Sequence, residues 1–372
     1  MSTTRGWKPN MPTTSLEKPS LSILVPIFNV EKYLRQCLTS LMAQDYQDFE
    51  VILLNDGSTD SSASIAEEFA RSYERVSLIN KENSGYGATL NLGIDKARGT
   101  YLGFLESDDL MYPHALRALM DAACAHDADV VRGTYSYYWS MDNKDEIQHP
   151  YAADLIGRAK DYRADIRPFL TPYAIWDGVY RRQMLFDQNI RFLETSGASY
   201  QDTSFAFKTY AASQKTVFLD TPIIHYRQDN EGSSVRSRGK VYAVCQEYDE
   251  ISHWLTHRNN QSFEKNFQMA ALIGRYNAYL WNLDRIAPEF REEFICFMSK
   301  EFSLMDDAGR IDWAHLDEWR TRNLRKILDD PKGYLTIRER LHGQSTLSKV
   351  AFALELGGPA ALVSAVKERK MR

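Results

Sequence analysis

The sequence predicts an α/β fold, with a mostly parallel sheet carrying helices on both faces and a helical C-terminal region after it. Short apolar runs alternate with segments of helical periodicity through the first part of the 372-residue chain. The runs are continuous in Val, Ile and Leu, which is typical of strands covered on both faces. Beyond residue 240, aromatic and aliphatic residues recur at helical spacing, which predicts helices alone.

The alternation of predicted elements begins at Leu21. Five apolar runs predict strands: LSILVPIF, VILLN, VSLIN, TYLGFLE and ADVVRGTY. Between these runs, four helices are marked by apolar residues at helical spacing: Leu34, Leu38 and Leu41; Ile65 and Phe69; Leu90 and Ile94; Leu116 and Leu119. This alternation favours a parallel sheet wrapped by helices. After about residue 140 the pattern loosens into aromatic-rich segments such as YAIWDGVYRRQML and TVFLDTPIIHY.

Composition excludes some classes of partner and compartment. A formal net charge of -5 argues against a nucleic-acid partner, because binding to phosphate backbones depends on clustered Lys and Arg. The cysteines Cys37, Cys124, Cys245 and Cys296 form no CxxC pair, which predicts free thiols in a reducing compartment. The first residues are polar and carry no apolar signal core, so we expect a cytoplasmic protein.

Candidate ligand-binding residues stand at the ends of the predicted strands, at the sheet edge where open α/β sheets bind ligands. They are Pro26, Phe28 and Asn29 at the end of the first strand, Asp56 at the second, Ser84 and Gly85 at the third, and Glu106, Ser107, Asp108 and Asp109 at the fourth. By itself, NDGSTDSS is equally well explained as a turn with a helix cap. A carboxylate fixed at a strand end also suits the edge of a nucleobase.

The acidic group at residues 106–109 needs a source of positive charge, because adjacent carboxylates repel one another. A hard divalent cation such as Mg²⁺ or Mn²⁺ binds one or two protein carboxylates together with phosphate oxygens. The alternative is a solvated cap before the helix that follows Pro113. Dinucleotide-binding and P-loop classes are disfavoured, because Leu90 stands where GxGxxG needs its third glycine and no GxxxxGK[ST] occurs.

These motifs, in this order, resemble the family 2 glycosyltransferases of the GT-A fold. The resemblance is close over 21–138 and continues more weakly through IWDGVYRRQML, IRFLETSGASYQDTSF and IIHYRQDNEGSS. It implies a GT-A catalytic domain over 21–239. The polar, Pro/Thr/Ser-rich composition of residues 1–20 predicts a flexible leader, and helical spacing predicts a helical C-terminal region over 240–372. Within the catalytic domain the resemblance implies a nucleotide-binding half at 21–138 and an acceptor-binding half at 139–239.

The resemblance also implies a UDP-sugar donor, a divalent metal and the roles of single residues. Asp108 is the expected metal ligand and Asp202, in YQDTSF, is the expected general base. His225 is expected to reach the metal, with an ordinary strand histidine as the alternative, and Arg227 could instead reach the diphosphate. The implied donor-site residues are Pro26, Phe28, Asn29, Asp56, Ser84, Gly85, Glu106, Ser107 and Asp108.

The expected reaction is metal-assisted, inverting transfer of a sugar from a UDP-sugar to a hydroxyl of a glycan or lipid-linked acceptor. Two residues depart from the family pattern: Glu106 replaces an Asp, and Gln201 stands before the base where many relatives have Glu, which removes a like charge beside Asp202. The alternatives are a nucleotide-sugar-binding protein without turnover and a nucleotidyltransferase. The second is disfavoured, because VPIFNVEKYL contains no basic Gly-rich loop.

The tail LSKVAFALELGGPAALVSAVKERKMR joins an apolar stretch to a basic end. Two hypotheses follow: peripheral contact with the inner face of a membrane, and a homodimer through the C-terminal helices. Glu355 and the Gly357-Gly358-Pro359 break count against one continuous interfacial helix. Ordinary packing of the tail against the protein is an equally good prediction.

Overall fold

The computed structural model describes residues 18–171, 174–230, 240–258, 263–341 and 346–371. Most of the predicted leader, residues 1–17, lies outside the described residues. One nine-stranded sheet runs through the first part of the chain. In chain order its strands are β1 (Leu21–Ile27), β2 (Phe49–Asp56), β3 (Val76–Lys81), β4 (Tyr101–Phe104), β5 (Leu110–Met111), β6 (Val130–Trp139), β7 (Lys144–Gln148), β8 (Gly178–Arg181) and β9 (Thr216–Arg227).

Six strands of the described sheet run in one direction. The strand order is β3-β2-β1-β4-β8-β6-β9-β5, with β7 paired to β6. β1 pairs in parallel with β2 and β4, β2 with β3, and β6 with β9. β8 lies antiparallel between β4 and β6, while β5 and β7 are antiparallel to β9 and β6. The α/β class is therefore confirmed, and the sheet is mixed because β8 enters it in the opposite sense.

Helices cover both faces of the sheet, as predicted. The described helices are α1 (Glu31–Met42), α2 (Ser62–Ser72), α3 (Tyr86–Lys96), α4 (Ala115–His126), α5 (Arg182–Asp187), α6 (Gln201–Ala212), α7 (Ala243–His257), α8 (Glu264–Arg285), α9 (Pro288–Asp307), α10 (Glu318–Asp329), α11 (Pro331–Leu341) and α12 (Thr346–Met371). Leu34, Phe69 and Leu116 of α1, α2 and α4 share one buried cluster with the sheet. Leu90 and Phe205 of α3 and α6 belong to the cluster on the other face.

The apolar core under α3 and α6 continues into the C-terminal helices. Phe205, Tyr248, Phe294, Tyr334 and Phe352 all belong to one buried cluster. The helical character predicted for residues beyond 240 is confirmed. The domain division at 239/240 stays a prediction, and residues 231–239 lie outside the described residues.

The last helix is interrupted where the sequence predicts a break. Within α12, Gly357 has φ −174° and ψ 28°, and Gly358 has φ 65° and ψ −159°. The part before this break packs through Phe352, whose ring lies 6.2 Å from that of Trp319 and 6.1 Å from that of Tyr334. In the part of the chain that the structure describes, every helix is too short or too polar to cross a membrane.

The four cysteines are free thiols, as predicted. Cys37 and Cys245 are buried, Cys124 is exposed and Cys296 is intermediate. The Cys37 thiol donates to the main-chain oxygen of Glu106 at 3.4 Å. This contact places α1 directly behind the acidic turn that follows β4.

Candidate functional site

The loops after β1 and β2 are fastened to each other by side-chain caps. The Asp60 carboxylate accepts hydrogen bonds from the N–H groups of Glu31, at 3.0 Å, and Ser62, at 2.9 Å. One side chain therefore serves the first turns of both α1 and α2. Asn29 Oδ1 accepts from the N–H of Thr59 at 2.8 Å, and its φ of 49° is a left-handed conformation that Asn tolerates well.

The other predicted residues at this edge differ in accessibility. The Phe28 ring is 52% exposed, so it can contact a ligand. Pro26 is inside β1, paired with Leu54 of β2, and Ser107 is buried. Because β1 pairs in parallel with β2 and β4, the carboxyl ends of these three strands lie at the same edge of the sheet.

Asp56 uses both carboxylate oxygens inside the protein. Its Oδ1 accepts from Lys81 Nζ and from the N–H of Ser84 at 2.9 Å, and its Oδ2 accepts from the N–H of Gly85 at 3.0 Å. Lys81 Nζ also donates to Ser84 Oγ at 2.7 Å and to Thr89 Oγ1 at 3.2 Å. Asp56 therefore holds the loop after β3, and its predicted contact with a nucleobase stays a prediction. The sequence analysis did not predict a role for Lys81 at this site, although a lysine at the end of a predicted strand and before a glycine-containing loop could have suggested one.

Two glycines let the loop after β3 lie against the segment that leads to α6. Gly85 has φ 92°, and a Cβ there would stand 2.7 Å from the main-chain oxygen of Thr195. A Cβ at Gly87 would collide with the same segment. The N–H of Tyr86 donates to the oxygen of Gly197 at 3.2 Å. The predicted donor loop and the approach to α6 are thus in direct contact.

The acidic residues after β4 form a tight, partly buried turn. The N–H of Asp109 donates to the main-chain oxygen of Glu106 at 3.1 Å, which closes the turn. The Tyr86 hydroxyl donates to Glu106 Oε1. Burial raises the pKa of Glu106 to about 8; the bond from Tyr86 opposes this shift, and the charges of Asp108 and Asp202 add to it.

Arg227, at the end of β9, fastens the acidic turn to the last strand. Its Nε donates to the main-chain oxygen of Asp108 at 2.7 Å, and its N–H donates to Asp109 Oδ1 at 2.9 Å. Its guanidinium lies 4.7 Å from the ring centre of Tyr33. Asn230 Nδ2 donates to Asp108 Oδ2 at 2.7 Å. Asp109 is fully buried, and within the described residues its Oδ2 has no hydrogen-bond partner.

Asp202 lies in the first turn of α6, close to the acidic turn. Burial raises the pKa of its carboxyl to about 6, although a hydrogen bond from the Thr203 N–H opposes the shift. The negative charge of Asp202 in turn contributes to the raised pKa of both Glu106 and Tyr86. Tyr86, which bonds to both Glu106 and Gly197, connects the acidic turn to the segment directly before α6.

Tyr226 directly precedes Arg227, the residue that fastens the acidic turn. Burial raises the pKa of its phenol, and further rises come from the charges of Asp109, Asp108, Asp202 and Glu106. Its ring stacks on Trp176, with centroids 5.0 Å apart and planes at 23°. This stacked pair therefore begins one residue from the contact between Arg227 and the acidic turn.

His225 occupies the opposite face of β9 from Tyr226, because successive residues of a strand point to opposite sides. Its Nδ1 is 2.8 Å from Asp145 Oδ1, and its ring stacks on Tyr112 at 3.6 Å. Across the described ranges, no three His, Cys, Asp or Glu side chains form a ready metal cage. The neighbours of the His225 ring are Asp145 and Tyr112, and Asp108 is not among the contacts described for it. Metal binding by His225 stays a prediction.

Gln201 organises the loop before α6. Its Oε1 accepts from the N–H of Ser199, and its Nε2 donates to Thr195 Oγ1 at 2.8 Å and to the Gly197 oxygen at 3.2 Å. A glutamate here would keep the acceptor but lose the donor to Gly197. The departure at residue 201 therefore has a local structural reason.

Two buried charged groups that the sequence analysis did not single out lie near Asp202. Arg132, which is 1% exposed, donates through Nη2 to Asp177 Oδ2 at 2.8 Å. Glu247 of α7, also 1% exposed, accepts the N–H of Ser204 in the first turn of α6 at 3.1 Å. Arg132 could have been recognised from the sequence, because it is a charged residue inside the apolar run ADVVRGTY. The sequence around Glu247 contains no feature of this kind that predicts its burial.

Known proteins resemble this chain in sequence and in fold. The family model described as glycosyl transferase family 2 matches residues 22–200. The protein named "Putative glycosyltransferase EpsH" of Bacillus subtilis is 27% identical over 91% of this chain and 88% of its own length. Glycosyltransferase GlyG of Streptococcus pneumoniae is 30% identical over 58% of this chain and 73% of its own length. The structure of S. aureus TarS 1-349 in complex with UDP-GlcNAc shares the fold, with TM-score 0.65 and 18% identity over 87% of this chain and 91% of that one.

Proposed function

Because this chain belongs to glycosyl transferase family 2 and is a glycosyltransferase, we propose that it transfers a sugar from a UDP-sugar to a hydroxyl group of a saccharide acceptor. The reaction proposed is a single displacement with inversion, in which Asp202 is the general base. The observation that carries the proposal is the position of Tyr86, whose hydroxyl donates to Glu106 of the acidic turn and whose N–H donates to Gly197 in the segment that leads to Asp202. Relatives named as glycosyltransferases and a TarS structure solved with UDP-GlcNAc support this choice of donor.

The donor would bind at the carboxyl ends of β1, β2 and β4. The exposed Phe28 ring offers a flat surface for the base, and residues 84–87 offer a preformed loop. The Asp56 carboxylate is neutralised by Lys81 and two N–H groups, which keeps this loop in one position. We therefore assign Asp56 and Lys81 the task of shaping the nucleotide pocket.

The acidic turn is suited to a divalent cation. Glu106 and Asp109 have raised pKa values because they are buried near other carboxylates, and Asp109 Oδ2 is unpaired within the described residues. The Arg227 guanidinium donates to the Asp108 main-chain oxygen and to Gln36, and its charge opposes the raised pKa of Asp109 without cancelling it. Asp108, with Glu106 beside it, would hold Mg²⁺ or Mn²⁺ together with diphosphate oxygens. Such a cation would stabilise the negative charge of the departing diphosphate.

Asp202 is placed to take the proton from the acceptor. A carboxyl group with a pKa of about 6 is mostly ionised at neutral pH, yet it is a stronger base than an exposed aspartate. As the acceptor oxygen bonds to the anomeric carbon, its proton would pass to Asp202 and the bond to the diphosphate would break. Attack on the face opposite the leaving group gives inversion. General-base assistance of this kind contributes about 10²- to 10⁴-fold in rate.

The first test is a screen of UDP-sugars for transfer with Mn²⁺ or Mg²⁺, combined with titration of UDP-sugar binding. Asp202→Asn is expected to lower kcat by about 10²-fold or more while changing the donor Kd little. Asp108→Ala is expected to weaken metal-dependent donor binding itself. Asp121→Asn, on the exposed side of α4, is the matched control and should change neither quantity.

Persistent transfer by Asp202→Asn would show that another group is the base. Tight donor binding without turnover for any acceptor would instead favour a nucleotide-sugar-binding protein. Membrane contact by the C-terminal tail and a homodimer through the C-terminal helices stay predictions. A chain ending at residue 345 tests both. Its sedimentation with vesicles tests the membrane contact, and its oligomeric state tests the homodimer.

A further inference from the structure

A continuous group of aromatic rings extends from the acidic residues across β9 and β6. Trp176 stacks on Tyr226, and the Tyr226 ring centre is 6.3 Å from that of Tyr137. The Tyr137 ring in turn lies 6.3 Å from Trp139, near the end of β6. These four residues, Trp176, Tyr226, Tyr137 and Trp139, are here called the aromatic strip.

The aromatic strip begins beside the acidic turn. Tyr226 is 37% exposed, and it directly precedes Arg227, whose N–H donates to Asp109 Oδ1 at 2.9 Å. Trp176, Tyr137 and Trp139 are each partly exposed. Trp176 and Tyr137 pack against the core on one side, and their remaining exposed surface is apolar and available to a ligand.

Trp176 is held in place by the residue that follows it. The Asp177 carboxylate is bound by Arg132 and accepts from the Tyr151 hydroxyl at 3.2 Å, while its main-chain oxygen accepts from the Gly133 N–H at 2.8 Å. The Tyr135 ring meets the Trp176 ring edge to face at 5.0 Å. An indole fixed in this way can bind a ligand with little loss of conformational entropy.

We propose that the aromatic strip is the acceptor subsite, and that it binds a neutral pyranose ring of the acceptor by stacking. This inference rests on the proposed function, since it takes Asp202 as the group that an acceptor hydroxyl must reach. The C–H faces of a pyranose are apolar and match an aromatic surface, while its hydroxyl groups can reach the carboxylates. An acyclic polyol phosphate lacks the flat ring, and its negative charges would meet the charges of Asp202 and Asp108.

The test compares acceptors and variants in one assay. Chitobiose and p-nitrophenyl β-glucoside serve as pyranose probes, and a short glycerol phosphate oligomer serves as the acyclic, anionic probe. We expect transfer to the pyranose probes, with acceptor KM raised about 10-fold or more in Trp176→Ala and Tyr226→Ala and little changed in Trp176→Phe. The Kd of the UDP-sugar should stay the same. Trp313→Ala, in the C-terminal region, is the matched control.

Binding of chitobiose is also measured without turnover, by saturation-transfer NMR on the wild-type chain and each variant. If no UDP-sugar is turned over but chitobiose binding is lost in Trp176→Ala, the proposed function fails and the subsite stands. If acceptor KM and chitobiose binding are both unchanged in Trp176→Ala and Tyr226→Ala, the subsite is wrong while transfer can still be correct. Use of the glycerol phosphate oligomer in preference to both pyranose probes would also overturn the inference.

Discussion

The carboxyl group of Asp202 lies where burial and hydrogen bonding act in opposite directions. Burial disfavours its ionised form, and the Thr203 N–H favours it, with a resulting pKa of about 6. Gln201, directly before it, is neutral and is committed to the loop through Thr195 and Gly197. The ionisation of Asp202 is therefore set by its surroundings in the fold, without help or hindrance from a charged neighbour in sequence.

A pH profile tests this account of Asp202. A general base must be ionised, so kcat/KM should fall as the pH drops through about 6. Gln201→Glu places a like charge beside the base and should move this limb to higher pH. The check is kcat/KM against pH for both proteins, under saturating metal.

Gln201→Ala is the control for this change, because it breaks the same loop contacts without adding charge. It should lower the rate but leave the position of the acid limb unchanged. An acid limb that stays in place in Gln201→Glu would contradict the assignment of Asp202 as the titrating base.

Single residues also show what the sequence could and could not predict. Asp108 and Glu106 are recognisable because adjacent acids at a strand end need a physical reason. Lys81 is harder to recognise, because its importance comes from reaching Asp56 on a neighbouring strand. The family resemblance implied a metal contact for His225, but strand alternation turns its ring toward Tyr112. Which face a side chain takes depends on register, and the sequence alone leaves register open.

At the scale of elements, α6 and α7 meet through a buried polar contact. Glu247 of α7 accepts the Ser204 N–H, which is one of the N-terminal donors of α6 that a helix cannot satisfy itself. Burial raises the pKa of Glu247 to about 8. α7 therefore helps to position the turn that carries Asp202, although it follows that turn by about 40 residues of chain.

Glu247→Gln tests the energetic effect of this contact. The folded chain keeps a proton on Glu247 that the unfolded chain releases near pH 4.5, so its stability falls as the pH rises from about 4.5 to about 8. Gln keeps an acceptor for Ser204 and cannot ionise. The variant should therefore be the more stable protein at pH 8, by about 1 kcal/mol or more, and match the wild type near pH 4.

Urea unfolding at several pH values measures this difference. Glu247→Ala is the contrasting variant, because it leaves the Ser204 N–H buried without an acceptor. It should be less stable than Glu247→Gln by about 1–3 kcal/mol at every pH. A wild type that is as stable as Glu247→Gln at pH 8 would mean that Glu247 is easily ionised where it lies.

Periodicity located most elements of the first half because β1 to β4 are apolar and the intervening helices are amphipathic. β8 is different: its four residues, Gly178–Arg181, pair antiparallel with β4 and β6 after a long excursion of the chain. Its position depends on Arg132 bonding to Asp177, a contact between distant parts of the sequence. The periodicity of a short sequence segment cannot predict such long-range pairings.

For the whole molecule, the continuous core is the dominant feature. The buried cluster that includes Phe205 behind the sheet also includes Phe267, Tyr279 and Phe294 of the C-terminal helices. Removing these helices would expose that apolar surface to water, at about 25 cal/mol per Å². The C-terminal region therefore supports the face of the sheet on which α6 lies.

Truncation tests this dependence. A chain ending at residue 239 should be largely insoluble, or lack a cooperative thermal transition, because the cores behind α3 and α6 would be incomplete. A chain ending at residue 345, which lacks α12 alone, should fold with a lower Tm. Circular dichroism during heating distinguishes the two. A chain ending at residue 239 that unfolds cooperatively and binds a UDP-sugar would show that the first part is an independent domain.

The bond between Arg227 and the acidic turn has a consequence for protein synthesis. Asp109 and Arg227 are 118 residues apart, and Asn230, which contacts Asp108, comes later still. While the ribosome is still making the intervening chain, the carboxylates after β4 lack the strand that fixes their main chain. A nascent polypeptide that has completed β1 to β4 would therefore remain catalytically silent until β9 emerges from the exit tunnel.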